Sequence, residues 1–439
     1  MRTNGTARET GMGQMNIDRR QFVKAGTAAS GLLLLRAKTA FGYEANSAVR
    51  LGLLGCGGRG TSVASSFAKN TSARVVALAD LFPNQLATAK THFDTLNASL
   101  AKGAIENRLM FHGHQAFEEI AHSKDVDMVQ ISTPPFFHVQ HLEAVVDAGK
   151  HAYCEKPVGV DVAQARKAME IARRVEGKVS VDVGFQVRNA PPIAAVIERV
   201  KGGALGKIGS ISASYNAPAA KEKLAPGASA DELRLRNWLW YRALSGDILV
   251  EQNIHIIDLC NWVLGAHPLK AIATGGRNIL THAGDCWDNY QVDYTYPGDV
   301  RLSFSSTQFG DYGSFDAGLR VFGSKGSADA PYAGPIRILG ESAWNWQDPS
   351  STGDTASGGF SASGDFKDNL ALADRDKDRS FIESITSGRF HNQIADGVTT
   401  AQSCMLGRMA GYKGREVTWE DLLAHGETYE LGMDMKQFG

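Results

Sequence analysis

Gly55-Cys56-Gly57-Gly58-Arg59-Gly60 follows an apolar run at residues 49–54 and precedes a helix-like stretch beginning near Thr61. This order leaves few folds open. The first glycine permits a tight turn, the second lets a pyrophosphate approach the main chain, and the third allows close helix packing; the helix N-terminus supplies free amides and positive potential. Asp80 closes the next apolar run, where a carboxylate accepts hydrogen bonds from an adenosine ribose. An acidic group there repels a 2′-phosphate, which favours NAD. Arg59 in the turn keeps NADP open, because a guanidinium at that place can pair with such a phosphate.

The rest of the first half fits a doubly wound α/β domain. Candidate strands at 49–54, 74–79, 127–132, 151–154 and 179–183 alternate with helix-like spacing at 83–100, 138–148 and 162–176, the pattern of a parallel Rossmann sheet covered on both faces. After Gln186 the pattern changes. A helix at 191–201 and a strand at 208–215 lead into a polar loop at 221–231. Strand candidates at 271–275, 290–296, 301–308 and 319–322 then follow with turn residues between them and no helices. That predicts an α+β domain with a largely antiparallel open sheet. The Ser/Gly/Asp-rich stretch 348–365 reads as a surface excursion, and 374–387 and 401–412 as helices. The expected division is a leader at 1–45, a nucleotide-binding domain at 46–185 and a second domain at 186–439.

Composition excludes several partners. The 439 residues, 43% hydrophobic and 21% charged with a net charge of -1, suffice for two cored domains and create no field for nucleic acid. No run of 18 apolar residues is present to span a bilayer. The N-terminus reads differently: Asp18-Arg19-Arg20-Gln21-Phe22-Val23-Lys24 precedes a mildly apolar stretch at 25–35, which resembles a twin-arginine export signal. An amphipathic helix is the bland alternative. Export implies contact with the twin-arginine machinery and a periplasmic destination, without a membrane anchor. The five cysteines Cys56, Cys154, Cys260, Cys286 and Cys404 form no Cys-x-x-Cys pair and no metal-ligand spacing, so neither a disulfide framework nor a metal site is expected.

With Ser132-Thr133-Pro134 and His138, Cys154-Glu155-Lys156-Pro157, and a later helix-like segment containing His255, the chain resembles the glucose-fructose oxidoreductase and inositol dehydrogenase family, Gfo/Idh/MocA, over nearly all of the chain after the leader. The resemblance implies that Gly55, Cys56, Gly57, Gly58, Arg59, Gly60 and Asp80 hold the dinucleotide. It further implies that Thr133, Pro134 and His138 lie along it, that Glu155 and Lys156 flank the nicotinamide ribose, and that Lys156 assists proton movement at a substrate hydroxyl. It also implies a substrate-binding and oligomerising second domain, in a homodimer or homotetramer.

In Gly246-Asp247-Ile248-Leu249-Val250-Glu251-Gln252-Asn253-Ile254-His255-Ile256-Ile257-Asp258, one continuous helix would place Glu251, His255 and Asp258 on one face at spacings of four and three. Relatives carry Asp-x-x-x-His here, with the histidine as acid or base. Glu251 is one methylene longer, which puts its direct substrate contact in question. An imidazole titrates near neutrality and suits the hydroxyl proton; the alternative is a satisfied core histidine. Asp258 either takes part or holds a neighbour. No third ligand supports a metal reading of Glu251 and His255. Trp238, Trp240 and Tyr241 supply faces for sugar stacking or fill the core. Gln186, Arg188 and Asn189, at the handover between domains, and Asn253 are candidate polar contacts.

The expectation is a nicotinamide-dependent oxidoreductase acting on a hydroxyl carbon of a sugar, glycoside or polyol. Export away from a free nicotinamide pool favours a tightly bound cofactor. Two alternatives compete with it: a redox-neutral glycosidase or lyase that oxidises a sugar transiently, and a nicotinamide-binding sensor without turnover. Lys156 counts against the NAD-dependent glycosidases, which lack it.

Overall fold

The computed structural model describes Met1 and residues 48–310, 315–347 and 368–439. The twin-arginine segment and the 348–365 stretch lie outside the described residues.

Six parallel strands form the first sheet: β1 (Arg50–Leu54), β2 (Arg74–Asp80), β3 (Met110–His112), β4 (Met128–Ile131), β5 (His151–Cys154) and β6 (Val181–Val183). Their order is β3-β2-β1-β4-β5-β6. The chain reverses direction of travel between β1 and β4, and at such a switch point a crevice opens at the carboxyl ends of the strands. β1 lacks any polar alternation because both its faces are covered: Leu51 and Leu53 are fully buried, and Gly52 sits against Ile120 of the helix Ala116–His122. Each fully buried leucine contributes roughly 1.5–3 kcal/mol.

The second sheet contains β7 (Ile208–Ala217), β8 (Lys270–Gly276), β9 (Asn289–Tyr296), β10 (Val300–Gln308), β11 (Asp316–Gly323), β12 (Gly326–Pro331), β13 (Arg337–Gly340), β14 (Trp344–Asn345) and β15 (Val417–Thr418). They are ordered β14-β13-β12-β11-β7-β10-β9-β8-β15, antiparallel except for β7 beside β10. One face is apolar and packs on the helices Ile254–Leu264 and Ile394–Lys413, burying Tyr290, Tyr294, Tyr296 and Phe304. The other face carries, in register, Ile272, Asp293, Ser303, Ser212 and Arg320. This alternation is what the sequence shows as period two. The pattern missed β3 and β12–β15, which are short or carry small and polar residues.

Elements from the end of the chain cross the expected division. The helix Ala373–Ser387, expected with the second domain, packs on Gly58–Asn70 of the first: Phe381 lies in one cluster with Phe67 and Tyr153, and Ser66 donates to Asp378 at 2.5 Å. One face of the first sheet shares a continuous buried core with the second sheet, while its other face, with Leu51, Leu53 and Tyr153, forms a separate cluster with Phe67 and Phe381.

Candidate active site

The glycine loop behaves as the fingerprint requires. Gly55 has φ of +95°, and a side chain there or at Gly60 would collide with the main chain of Ser132–Thr133 and of Gly55 respectively, whereas Gly57 and Gly58 have open space where a Cβ would be. That open side is what a pyrophosphate needs. The helix begins at Gly58, three residues before the position expected from sequence, so the last two glycines of the motif lie in its first turn. Asp80 accepts from the Cys56 amide at 2.7 Å and the Phe82 amide at 2.8 Å, tying the loop to the end of β2. Burial raises its pKa while those amides oppose the rise. The Cys56 thiol, buried beside that carboxylate, is held well above its usual range and serves as packing.

A cleft of about 230 Å³ opens from this loop, lined by Gly55, Gly57, Asp80, Thr133 and Pro134 among others. His138 is buried below it. Its Nδ1 faces the Pro157 carbonyl at 2.8 Å and its Nε2 the Thr133 carbonyl at 2.7 Å, so the ring staples the Thr-Pro turn to the Glu-Lys-Pro turn. Burial pulls its pKa down even though both carbonyls favour the charged ring. His141 bonds Thr133 Oγ1 at 3.0 Å and lies between the rings of Phe117 and Phe137; burial pushes its pKa down to about 3.

Arg59 pairs with carboxylates. Its Nε donates to Glu155 Oε1 at 2.9 Å and its guanidinium lies 3.8 Å from Asp374. The reason is tertiary: the helix Ala373–Ser387 brings Asp374 against the first domain. Glu155 keeps Oε2 buried without a hydrogen-bond partner among the described residues.

Lys156 meets the second site segment directly. Its Nζ donates to Glu251 Oε1 at 2.5 Å and to the Glu251 carbonyl at 2.6 Å. The longer side chain of Glu251 is thus spent on the lysine. The continuous helix expected over Glu251, His255 and Asp258 is broken: Ile248–Glu251 is a single turn, Gln252 and Asn253 form a turn, and Ile254–Leu264 starts afresh. Gly246 and Asp247, both with positive φ, start the Ile248–Glu251 turn, where the Asp247 carboxylate accepts from the Ile248 amide at 2.7 Å, Tyr412 Oη at 2.7 Å and Tyr290 Oη at 3.0 Å, and the Asn253 amide closes the turn on the Ile248 carbonyl at 3.0 Å. Burial raises the Asp247 pKa to about 6 despite those donors.

Polar atoms without partners gather here. His255 is buried, its ring edge toward Phe185, and its Nδ1 has no hydrogen-bond partner among the described residues; Asn253 Nδ2 and Oδ1, Gln252 Oε1 and Gln186 Oε1 are in the same condition. Buried orphans of this kind call for a polar ligand or water. Burial, then Lys156 and Arg59, holds His255 well below its ordinary pKa, which leaves a neutral imidazole. Tyr215 of β7 was not singled out by sequence. Burial and the nearby Glu251 charge raise its pKa, and no local motif signals it.

Two of the expected contacts pair with each other. Asp258 receives both Arg188 Nε and Nη2, at 2.7 and 2.6 Å, and Thr400 Oγ1 at 3.0 Å, while Arg188 Nη1 reaches Asp396 at 2.8 Å. These two residues brace the helix Ile254–Leu264 against Ile394–Lys413. Trp240 is 1% exposed and packs on His282 with ring centroids 4.5 Å apart, so it offers no open face to a sugar. Tyr241 lies beneath Arg234, and Trp238 lines the cleft by Asp80. All five cysteines are free and buried, and no cluster of three or more metal-ligating side chains occurs among the described residues.

Residues 49–183 match the family model described as oxidoreductase family, NAD-binding Rossmann fold, and residues 193–329 match the GFO/IDH/MocA C-terminal domain. The chain is 28% identical over 292 residues to inositol 2-dehydrogenase of Rhizobium meliloti strain 1021, covering 66% of this chain and 78% of that one. It is 26% identical over 219 residues to the rhizopine catabolism protein MocA of Rhizobium meliloti, covering 50% of this chain and 58% of that one. A solved levoglucosan dehydrogenase, in complex with NADH and levoglucosan, shares the fold with a TM-score of 0.65 at 18% identity, over 84% of this chain and 99% of that one.

Proposed function

Since the chain belongs to the Gfo/Idh/MocA oxidoreductase family, we propose that Lys156, Glu251 and His255 serve a nicotinamide-dependent oxidation or reduction at a hydroxyl-bearing carbon of a sugar or polyol. The observation that carries this reading is the Lys156–Glu251 pair beside a buried neutral His255 with an unpartnered nitrogen, on a Glu-Lys-Pro turn that His138 ties to Thr133 at the edge of the glycine-lined cleft. The residues fit the group: Gly57 and Gly58 leave the loop open for a pyrophosphate, and Asp80 stands where a ribose binds. Asp80, with Arg59 committed to Glu155, favours NAD over NADP.

When bound, the nicotinamide accepts or returns a hydride. The protein's part is to handle the proton and hold the oxygen. The neutral His255 ring has one unprotonated nitrogen able to accept a proton. The Lys156 ammonium, kept in place by two oxygens of Glu251, is a cation able to polarise a substrate oxygen. Gln186 and Asn253 have amide groups to spend on neighbouring hydroxyls. Purified protein incubated with NAD and a panel of inositols, anhydrosugars and aldoses should show growth of reduced-nicotinamide absorbance with at least one of them. Failure to bind NAD, together with no absorbance change across the panel, would end the proposal.

The same proposal includes export to the periplasm by the twin-arginine route, supported by Arg19-Arg20 with Phe22 and Lys24. Cell fractionation of the paired Arg19→Lys, Arg20→Lys variant tests it, and undiminished periplasmic activity counts against it. It also includes self-association through the open sheet face, supported by exposed Ile272, Phe322 and Leu339. Light scattering reads the subunit number, and a monomer at working concentration refutes that part.

A further inference from the structure

The cleft beside Asp80 is walled on its far side by residues from outside the nucleotide-binding domain. Lys223, Leu235, Arg236 and Trp238 of the second domain line it, and so does Met435 near the end of the chain. The Asp80 side of a Rossmann crevice receives the adenosine half of a dinucleotide.

These walls form one connected piece. Arg234 Nη1 donates to the Leu431 carbonyl at 2.9 Å and Gln437 Nε2 to Asp231 Oδ2 at 3.0 Å, which couples the helix Ala230–Arg236 to the 431–438 segment. The piece is then fastened to the nucleotide domain. The Arg236 guanidinium lies 4.0 Å over the Phe82 ring and donates to Asn84 at 3.2 Å, Phe438 meets Phe82 edge-on at 6.0 Å, and the His114 amide donates to the Gly439 carbonyl at 3.1 Å. Apolar packing of Leu431, Met433, Met435 and Phe438 with Leu81, Phe82 and Trp238 completes the contact. Phe82 and Leu81 directly follow Asp80, so the fastening sits on the same turn as the ribose position.

We propose that the helix Ala230–Arg236 and the 431–438 segment form a cap that holds the adenosine end of the cofactor, with Lys223, Arg236 and Met435 as cofactor-contacting residues supplied from outside the Rossmann domain. This rests on the nicotinamide reading above. Its consequence is slow exchange: the dinucleotide leaves when the cap is displaced from Phe82 and His114, and the nicotinamide remains in place between turnovers. Two cations beside Asp80 offset the negative charge that a pyrophosphate and a carboxylate bring to one enclosed cleft.

Full-length protein loaded with NADH is mixed with an excess of an enzyme that oxidises only free NADH, and the loss of bound nicotinamide fluorescence gives the release rate. The Met435→Ala, Phe438→Ala double variant and the Arg236→Ala variant should each release NADH roughly ten-fold faster or more, with circular dichroism and unfolding midpoint checked alongside. If the double variant does not fold, Arg236→Ala carries the same expectation. Release from both variants at the wild-type rate overturns the cap, as does wild-type release complete within the mixing time. Failure of the wild type to bind NADH at all overturns the cap together with the proposed function, whereas binding with unaltered exchange removes the cap alone.

Discussion

The Lys156 ammonium is held by two oxygens of one residue, the Glu251 carboxylate at 2.5 Å and the Glu251 carbonyl at 2.6 Å, across 95 positions of sequence. A carboxylate one methylene longer than the family's aspartate therefore takes up the lysine directly. The carbonyl contact also fixes where the main chain of the Ile248–Glu251 turn lies relative to the Glu-Lys-Pro turn.

Lys156→Ala removes the cation proposed to polarise the substrate oxygen and should lower kcat by roughly 10²–10⁴-fold while NAD still binds. Steady-state rates and a fluorescence titration of NADH separate the two effects. A variant with wild-type kcat would remove Lys156 from the chemistry.

Asp80→Ala leaves the Cys56 and Phe82 amides without their acceptor. NAD affinity should weaken by about 1–3 kcal/mol, since two loop donors lose their orientation and the ribose loses its carboxylate. Isothermal titration of NAD reads the change, and an unaltered affinity would contradict the assigned ribose position.

Arg408 is 2% exposed and donates to the carbonyls of Val160 at 2.9 Å and Gly246 at 2.7 Å. It thereby links the chain just beyond Lys156-Pro157 to the turn that starts the Glu251 segment. Arg408→Met orphans both carbonyls and should cost about 2–4 kcal/mol of stability, with kcat falling more than KM rises because the Lys156–Glu251 spacing relaxes. Urea unfolding and steady-state kinetics measure each part. Unchanged kcat in a folded variant would leave Arg408 a purely structural residue.

His141 has a folded pKa pushed down to about 3 from an ordinary 6.5 by burial. As pH falls, the unfolded chain takes up this proton first, so the contribution of His141 to stability is complete above 6.5 and declines from there toward 3. Each such proton adds about 1.4 kcal/mol per pH unit to the slope. His141→Gln should therefore show a shallower loss of unfolding free energy than wild type between pH 6.5 and pH 5, by about that amount. Parallel slopes in denaturant titrations would mean that the ring titrates normally in the folded state.

Local chemistry made much of this protein readable in advance. The Gly55–Gly60 turn, the apolar runs of β1, β2, β4, β5 and β6, and the period-two strands β7 to β11 each have a signal within a few residues, because strand burial and tight turns are satisfied by neighbours in sequence. Short edge strands such as β14 and β15 escaped, since two residues hold too little periodicity to register.

What tertiary structure decided is where charged and polar groups found their partners. Arg59 reads in sequence as a possible phosphate contact, and only the return of the helix Ala373–Ser387 commits it to Glu155 and Asp374. Asp258 reads as a third face of the site, and Arg188 and Thr400 claim it. The residues Lys223, Arg236 and Met435 carried no signal at all, because a cleft wall assembled from three distant segments exists only once the two sheets are packed. Sequence determines which groups can turn, bury or ionise. Packing alone brings an ammonium at 156 within 2.5 Å of a carboxylate at 251, because that distance depends on the cost of leaving either charge unpaired in a shared core.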